Sequence, residues 1–588
     1  MKKIIFLLFV LCIHTSCDLD QDPVSEITKT PVFNSPKGLE LYTNSFYEIL
    51  PSADNIHRSD NMCDYAARSQ VPNFLRKGSY SSRQSDGWDW RNLRNVNYFI
   101  QNCNSPEVNE NVKKNHLGIA RFFRAYFYFE KVQRFGDVPW VDRPLENDDP
   151  ALYGGRDSRT IIMDHMLEDL NYAIENITAI KDPSSSLITK SVALAFKSRV
   201  CLFEGTFRKY HTNYNLSSTA DKWLKEAELA AKGLIDSKQY SINIKTNNPY
   251  RDLFISEKAI ETEVILASVC NKSLGVLNDA NWWWTSATYG SRLNLTRTFV
   301  NTYLKLDGTP FTNTVGYETM VFFDEVQNRD KRLSQTIRTP GYKRINAGVV
   351  FDAAPDFTYT YTGYHPIKFC LDATSYDNGG LNDNTIPMMR YAEVLLNYAE
   401  ARAELGLLTD ADWLLTIGEL RGRAGIAGGL TTKPTVADAY LQSNYFPEIS
   451  DPSLLEIRRE RAIELVFEGL RLSDLIRWKK GDLVKQDWNG IYVPALDVPM
   501  DLDGNGTFDV CFTQQAKVSN PLEGITYVNV APMRGDVVNP QLLKDGTKGE
   551  VTWMKNISKD WDDKNYLYPV PEMAIIMNNN LKPQNAGW

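Results

Sequence analysis

Leu117–Gly136 reads LGIARFFRAYFYFEKVQRFG, and within it Ile119, Phe122, Phe123, Tyr126 and Phe127 recur at steps of three and one. That spacing places them on one stripe of an α-helix, and Gly136 marks its end. The helical pattern begins at Asp89 and continues downstream, with a second helix over about Ser158–Asn176 and a third over Lys190–Phe207. A fourth, Ala220–Ile235 (ADKWLKEAELAAKGLI), sets small alanines against Trp223, Leu224, Leu234 and Ile235. Small residues opposite large ones let antiparallel helices approach closely, so this stretch predicts packed helix pairs.

Helices return with IPMMRYAEVLLNYAEARAELG, where Tyr391, Val394, Leu395, Tyr398 and Ala399 form the stripe. They continue through DPSLLEIRRERAIELVFEGLRLSDLIRWKKG, where Ser453 and Glu456 have capping-box spacing and Ile463, Val466, Phe467 and Leu470 face inward. In this segment the attractive pairs Glu456–Arg459 and Arg461–Glu464 sit beside the like-charged pair Glu460–Glu464. Like charges on adjacent turns need outside partners, so Arg–carboxylate forks are expected, with Glu393, Glu400 and Glu468 as candidate acceptors. The alternative is a solvated charged face.

Between these helices the texture changes. Gly38–Leu50 reads as a short amphipathic helix, and 51–88 as a loop excursion rich in Ser, Asn, Asp and Arg. Residues 240–385 carry short strand-like runs (EVILASV, FVNTYLKL, GVVFDAA, FTYTYTGY, HPIKFC), and 481–588 are irregular. The expected fold is mainly α: a degenerate tetratricopeptide-like helical scaffold, without a strict 34-residue period, bearing large irregular loop insertions and small β-ribbons. The helical body covers roughly 89–236 and 386–480, inside a single domain at 38–588.

The net charge of −8 and the lack of any basic run longer than pairs such as Arg458–Arg459 exclude a nucleic-acid partner. Cys63, Cys103, Cys201, Cys270, Cys370 and Cys511 are scattered, which supports neither a zinc ribbon nor a disulfide framework. Residues 1–16 (MKKIIFLLFVLCIHTS) have the basic start and apolar stretch of a secretory signal peptide. The cysteine that follows, Cys17, resembles a bacterial lipoprotein processing site, although His14 stands where such signals usually have Leu. Residues 17–37 read as a polar tether, and no later run reaches 18 apolar residues, so lipid alone would hold the chain to a membrane.

Four segments resemble the SusD/RagB family of outer-membrane nutrient-binding lipoproteins. They are Leu117–Trp140 with its turn FGDVP, Arg390–Gly406 (RYAEVLLNYAEARAELG), Arg458–Trp478 (RRERAIELVFEGLRLSDLIRW) and the terminal Tyr566–Trp588 (YLYPVPEMAIIMNNNLKPQNAGW). Ala586 departs from the Pro common in that tail. The resemblance implies a lipid-anchored protein on the outer face of the outer membrane. It would capture oligosaccharide and hand it to a SusC-like TonB-dependent barrel, with no catalysis and no required cofactor. A peptide-binding member of the same family and a secreted glycoside hydrolase are the alternatives.

Asn281–Trp284, with Asp279 before it and Tyr289 and Arg292 after it, is the most conspicuous cluster, with three consecutive tryptophans. Sugar rings offer C–H faces to aromatic plates and hydroxyls to polar edges, so Trp283 and Trp284, then Trp282, Tyr289 and Arg292, are the first glycan-binding candidates. Three consecutive side chains cannot share one direction, so at least one Trp must pack inward. The second candidate surface is the early loop: Asp64, Arg83 and Asp86 for hydroxyls, Tyr80 and Trp88 for stacking, with Trp90 assigned to the core. Asp501, Asp503, Asn505, Thr507 and Asp509 in DLDGNGTFD have much of the spacing of a calcium loop, but Phe512 stands where its closing Glu belongs. An Asx-rich turn explains the same residues. No HExxH, GxSxG, Walker or dinucleotide-binding motif occurs, and no carboxylate pair is marked for glycosidase work.

Overall fold

The computed structural model describes residues 32–285 and 293–588; the leader, Cys17 and most of the tether, together with Tyr289 and Arg292, lie outside the described residues. The longer helices are α1 (Pro36–Asn44), α2 (Arg91–Asn102), α3 (Glu110–Phe135), α4 (Arg159–Asn176), α5 (Lys190–Tyr210), α6 (Ala220–Asp236), α7 (Tyr391–Glu404), α8 (Pro452–Glu464) and α9 (Arg471–Arg477). Helix α3 stops at Gly136 (φ 74°), as the sequence implies, but it is more than a one-sided stripe. Arg124, Ala125, Tyr128 and Phe129 are buried along with Phe122, Phe123, Tyr126 and Phe127, whereas Ile119 is partly exposed. The reason is its position: α1 and α2 pack against it as well as α4.

Helices α3 to α6 run alternately up and down. Gly118 near the start of α3 faces Ala173 and Ile177 at the end of α4, and Arg159 opening α4 forks Glu204 near the end of α5 at 2.9 and 2.7 Å. Gly205 near the end of α5 meets Leu224 near the start of α6, where an added Cβ would sit 2.8 Å from Leu224 Cγ. These are the tetratricopeptide-like pairs. Helix α7, from far along the chain, packs on α5 and α6; α8 packs on α7, and α9 on α5. The body is therefore assembled from both ends of the sequence.

Three local expectations are corrected. The charged helix expected over Arg458–Trp478 breaks after Glu464, because Phe467 (φ 65°) and Gly469 (φ 79°) turn the chain before α9. Ile463, Val466 and Phe467 are buried, but Leu470 is only partly so. Second, Ser453 is not the cap. Asp451 accepts from the Ser453 N–H at 2.8 Å, Pro452 begins the helix, and Glu456 pairs with Arg421 and Arg459. Third, of the strand-like runs only EVILASV and GVVFDAA supply strands, Val264–Ser268 and Val349–Asp352; FVNTYLKL begins inside the helical turn Arg297–Val300. The tail is more ordered than its composition suggests. It contributes two three-stranded sheets, one pairing Gln541–Leu543, Gly549–Trp553 and Trp488–Val493, the other Pro499–Met500, Val510–Thr513 and Thr526–Asn529.

The charged segment is buried and forked, not solvated. Arg477 of α9 grips Glu400 of α7 at 2.5 and 2.7 Å, and Arg461 of α8 takes Asp474 of α9 at 2.9 and 2.8 Å. Arg461 thus leaves the expected partner Glu464, which accepts instead from Arg332 (2.9 Å), Arg390 (3.0 Å) and Arg423. Glu468 is held by Arg390 and Lys368, each at 2.7 Å, and Glu393 by Arg199 of α5. All three candidate acceptors take cations, but only Glu400 takes one from the Arg458–Trp478 segment.

Candidate functional site

Asn278 Oδ1 accepts from the Ala280 N–H at 3.0 Å and so opens the short helix Ala280–Thr285 that carries the three tryptophans. Asn281 fixes that helix to the segment behind it: its amide donates to Leu371 O and to Asp377 at 2.9 Å each, and its Oδ1 accepts from Leu371 N–H and Asn382 Nδ2 at 2.7 Å each. Arg344 in turn forks Asp377 at 2.8 Å twice. A fully satisfied amide network of this kind holds backbone position tightly.

Held there, the three indoles separate. Trp284 is 1% exposed and packs between Phe369 (6.4 Å, stacked) and Phe467 (5.0 Å). It is an anchor, so its expected role as a sugar plate is corrected. Trp282 and Trp283 are partly exposed. The Arg58 guanidinium lies 4.5 Å over the Trp283 ring and also pairs with Asp279, the residue that precedes the helix. Asp54 accepts from the Asp279 N–H at 3.0 Å, and His57 Nε2 lies 3.2 Å from Asp279. Burial pushes the His57 imidazolium below its ordinary range, so the ring is neutral near pH 7. Asp54, His57 and Arg58 were not singled out by sequence reading. The available signal was Asp and His three apart beside an arginine, in a loop with no periodicity.

The early-loop candidates do not join this shelf. Asp64 is 2% exposed and forks Arg471 at 2.7 Å twice, which makes it scaffold and not a hydroxyl ligand. Tyr80 packs edge-on against Phe74, Tyr568 and Trp588; Arg83 pairs with Glu572 at 2.9 Å, and Asp86 with Arg134. Trp88 lies edge-on to Phe135 and to Trp90, which is itself only partly buried. These side chains clasp the C-terminal tail and α3. They border a different hydrophobic cluster from the one that holds Trp284.

In the 501–509 turn, carboxylate oxygens of Asp501, Asp503 and Asp509 lie within 4.8 Å of one another. Asp501 accepts from the Gly504 and Gly506 N–H groups at 2.7 and 2.9 Å, Asp503 from Asn505 at 3.1 Å, and Asn505 from Thr507 at 2.8 Å. Burial first, then repulsion from Asp503 and Asp501, raises the Asp509 carboxyl to about 6. A cation would relieve that repulsion, while the N–H bonds are those of an Asx-rich turn.

The helical body thus presents two partly exposed indoles on a pinned helix, while the buried glutamates around α8 are committed to arginine and lysine partners. Residues 270–588 match the model of the SusD family, and residues 19–202 match a family described as starch-binding associating with outer membrane. The chain belongs to the SusD family, whose members are binding proteins, and it is not an enzyme. It is 22% identical over 505 residues to SusD-like protein P2 of Formosa agariphila, covering 82% of this chain and 91% of that one. Against SusD-like protein P38 of the same organism it is 25% identical over 401 residues, 64% of this chain and 69% of that one. Among solved structures, a SusD-like protein of Bacteroides fragilis superposes with a TM-score of 0.69 at 21% identity, covering 97% of this chain and 100% of that one. A SusD-like carbohydrate-binding protein from the same species gives 0.67 at 20% identity, with 94% and 100% covered.

Proposed function

We propose that the chain captures an oligosaccharide on the Trp282–Trp283 shelf and passes it to a SusC-like TonB-dependent barrel, while a lipid on Cys17 tethers it to the outer face of the outer membrane. The observation that carries this reading is two partly exposed indoles on a helix pinned by Asn281 and Trp284, with Arg58 over one face of Trp283 and Asp279 and Asp54 joined to it in turn. Open indole faces take the C–H faces of a pyranose, and the charged groups beside them take hydroxyls. Among the described residues no helix is long and apolar enough to cross a membrane. Family membership supports the transporter and the glycan as partners.

The test is binding without turnover. Affinity electrophoresis and calorimetry against a panel of polysaccharides should show capture by the mature chain and its loss in the double variant Trp282→Ala, Trp283→Ala. Full affinity in that variant would remove the shelf; capture of peptides alone would replace glycan by peptide; release of labelled sugar would overturn the non-catalytic assignment. The 501–509 turn is proposed as a structural calcium site, and a melting temperature unmoved between chelator and added calcium would refute it.

A further inference from the structure

Beneath the tryptophan shelf, three side chains that could share an ion converge from two parts of the chain. Asp54 and His57 lie on the helical turn Ala53–His57, and Asp279 immediately precedes the tryptophan helix. Their ligand atoms all fall within 4.8 Å of one another. His57 Nε2 is 3.2 Å from Asp279 Oδ1 and 3.5 Å from Asp54 Oδ1. A tetrahedral ion with bonds of ~2.0–2.2 Å to imidazole nitrogen and carboxylate oxygen keeps its ligands ~3.3–3.6 Å apart, so these separations are those of neighbouring vertices.

A second observation points the same way. His57 is 1% exposed, yet neither of its ring nitrogens has a hydrogen bond of acceptable geometry, and Asp279 Oδ1 is likewise buried without one. Buried polar atoms are rarely left so, because desolvation without a partner is unfavourable. Asp279 spends its other oxygen on Arg58, leaving Oδ1 directed at His57. The Asp54 side chain is 40% exposed, which leaves the cluster open to solvent on one side for water or a sugar hydroxyl.

We propose that Asp54, His57 and Asp279 bind one divalent first-row transition metal, of which zinc fits the ligand set, and that this ion locks the tryptophan helix to the early loop. Imidazole with two carboxylates selects such a metal over calcium or magnesium, which prefer oxygen alone. With Arg58, the two carboxylates and a neutral His57, the site carries a net charge of −1, which a dication converts to +1. The ion would take the place of the missing hydrogen bonds at His57 Nε2 and Asp279 Oδ1 and fix Asp279, and through Arg58 the Trp283 ring.

The proposal rests on the shelf reading only for its consequence, so ion and sugar are measured separately. Mature chain lacking a histidine tag is stripped with chelator and titrated with zinc chloride by calorimetry, with its melting temperature followed in parallel. One zinc per chain and a raised melting temperature are expected. Asp54→Asn, which keeps an oxygen for the Asp279 N–H, should weaken zinc by on the order of tenfold or more, and His57→Ala should abolish binding. If His57→Ala does not fold, Asp54→Asn decides. No stoichiometric zinc, unchanged zinc affinity in Asp54→Asn, or displacement of zinc by equimolar calcium would overturn the site. Zinc bound normally by a chain that captures no glycan would sink the shelf reading and leave the metal site standing.

Discussion

Two groups of crowded carboxylates in this molecule behave in opposite ways. Around α8, burial works to raise the Glu400 and Glu464 carboxyls, but the arginines win. Glu400, facing Arg477, Arg461 and Arg458, falls to about 2, and Glu464, facing Arg423, Arg390 and Arg332, is held well below its ordinary range. In the 501–509 turn burial acts on Asp509 with no cation beside it, and the carboxyl rises to about 6. Partners, more than depth, set the sign. Charges in the first group tie helices together, whereas those in the second repel one another and leave a place for an added cation.

The comparison can be broken most forcefully at Glu464. Glu464→Ala strands Arg332, Arg390 and Arg423 in the core and is expected to cost about 3–5 kcal/mol, read as a fall in the denaturant midpoint. A loss below about 1 kcal/mol would mean that water already reaches these arginines. Trp284→Ala removes the shelf's anchor and should cost about 3 kcal/mol or more. Trp282→Ala with Trp283→Ala should leave the melting temperature nearly unmoved while ligand capture is lost. Equal destabilisation by the two changes would erase the distinction between anchor and shelf.

Acid should affect the two carboxylate groups oppositely. Glu400 is ionised more readily folded than unfolded, where its value is near 4.5, so its contribution of about 3 kcal/mol is present above that value and fades as pH falls toward about 2. Asp509 holds its proton more tightly folded, so it destabilises above about pH 6 and ceases to do so below its ordinary 3.8. In chelator, with calcium kept out, Asp509→Asn should therefore raise the melting temperature slightly at pH 7 and leave it unchanged at pH 3.5, as thermal scans at the two pH values would reveal. With calcium added, the same substitution should instead lower the melting temperature at pH 7 if the turn binds the ion.

What the sequence determined was whatever short-range pattern encodes. The periodicity of Phe122, Phe123, Tyr126 and Phe127 and the stop at Gly136 located the helix they lie on, because side chains three and four apart share a face and glycine ends a helix readily. The tertiary structure alone decided which arginine meets which glutamate, that Phe467 turns the chain instead of continuing a helix, and that Trp284 goes in while Trp282 and Trp283 stay partly out. It also brought Asp54 and His57 to Asp279, across more than two hundred residues. Each of these depends on contacts between distant segments, whose geometry is fixed only once the helices have packed, so no local spacing could have carried it.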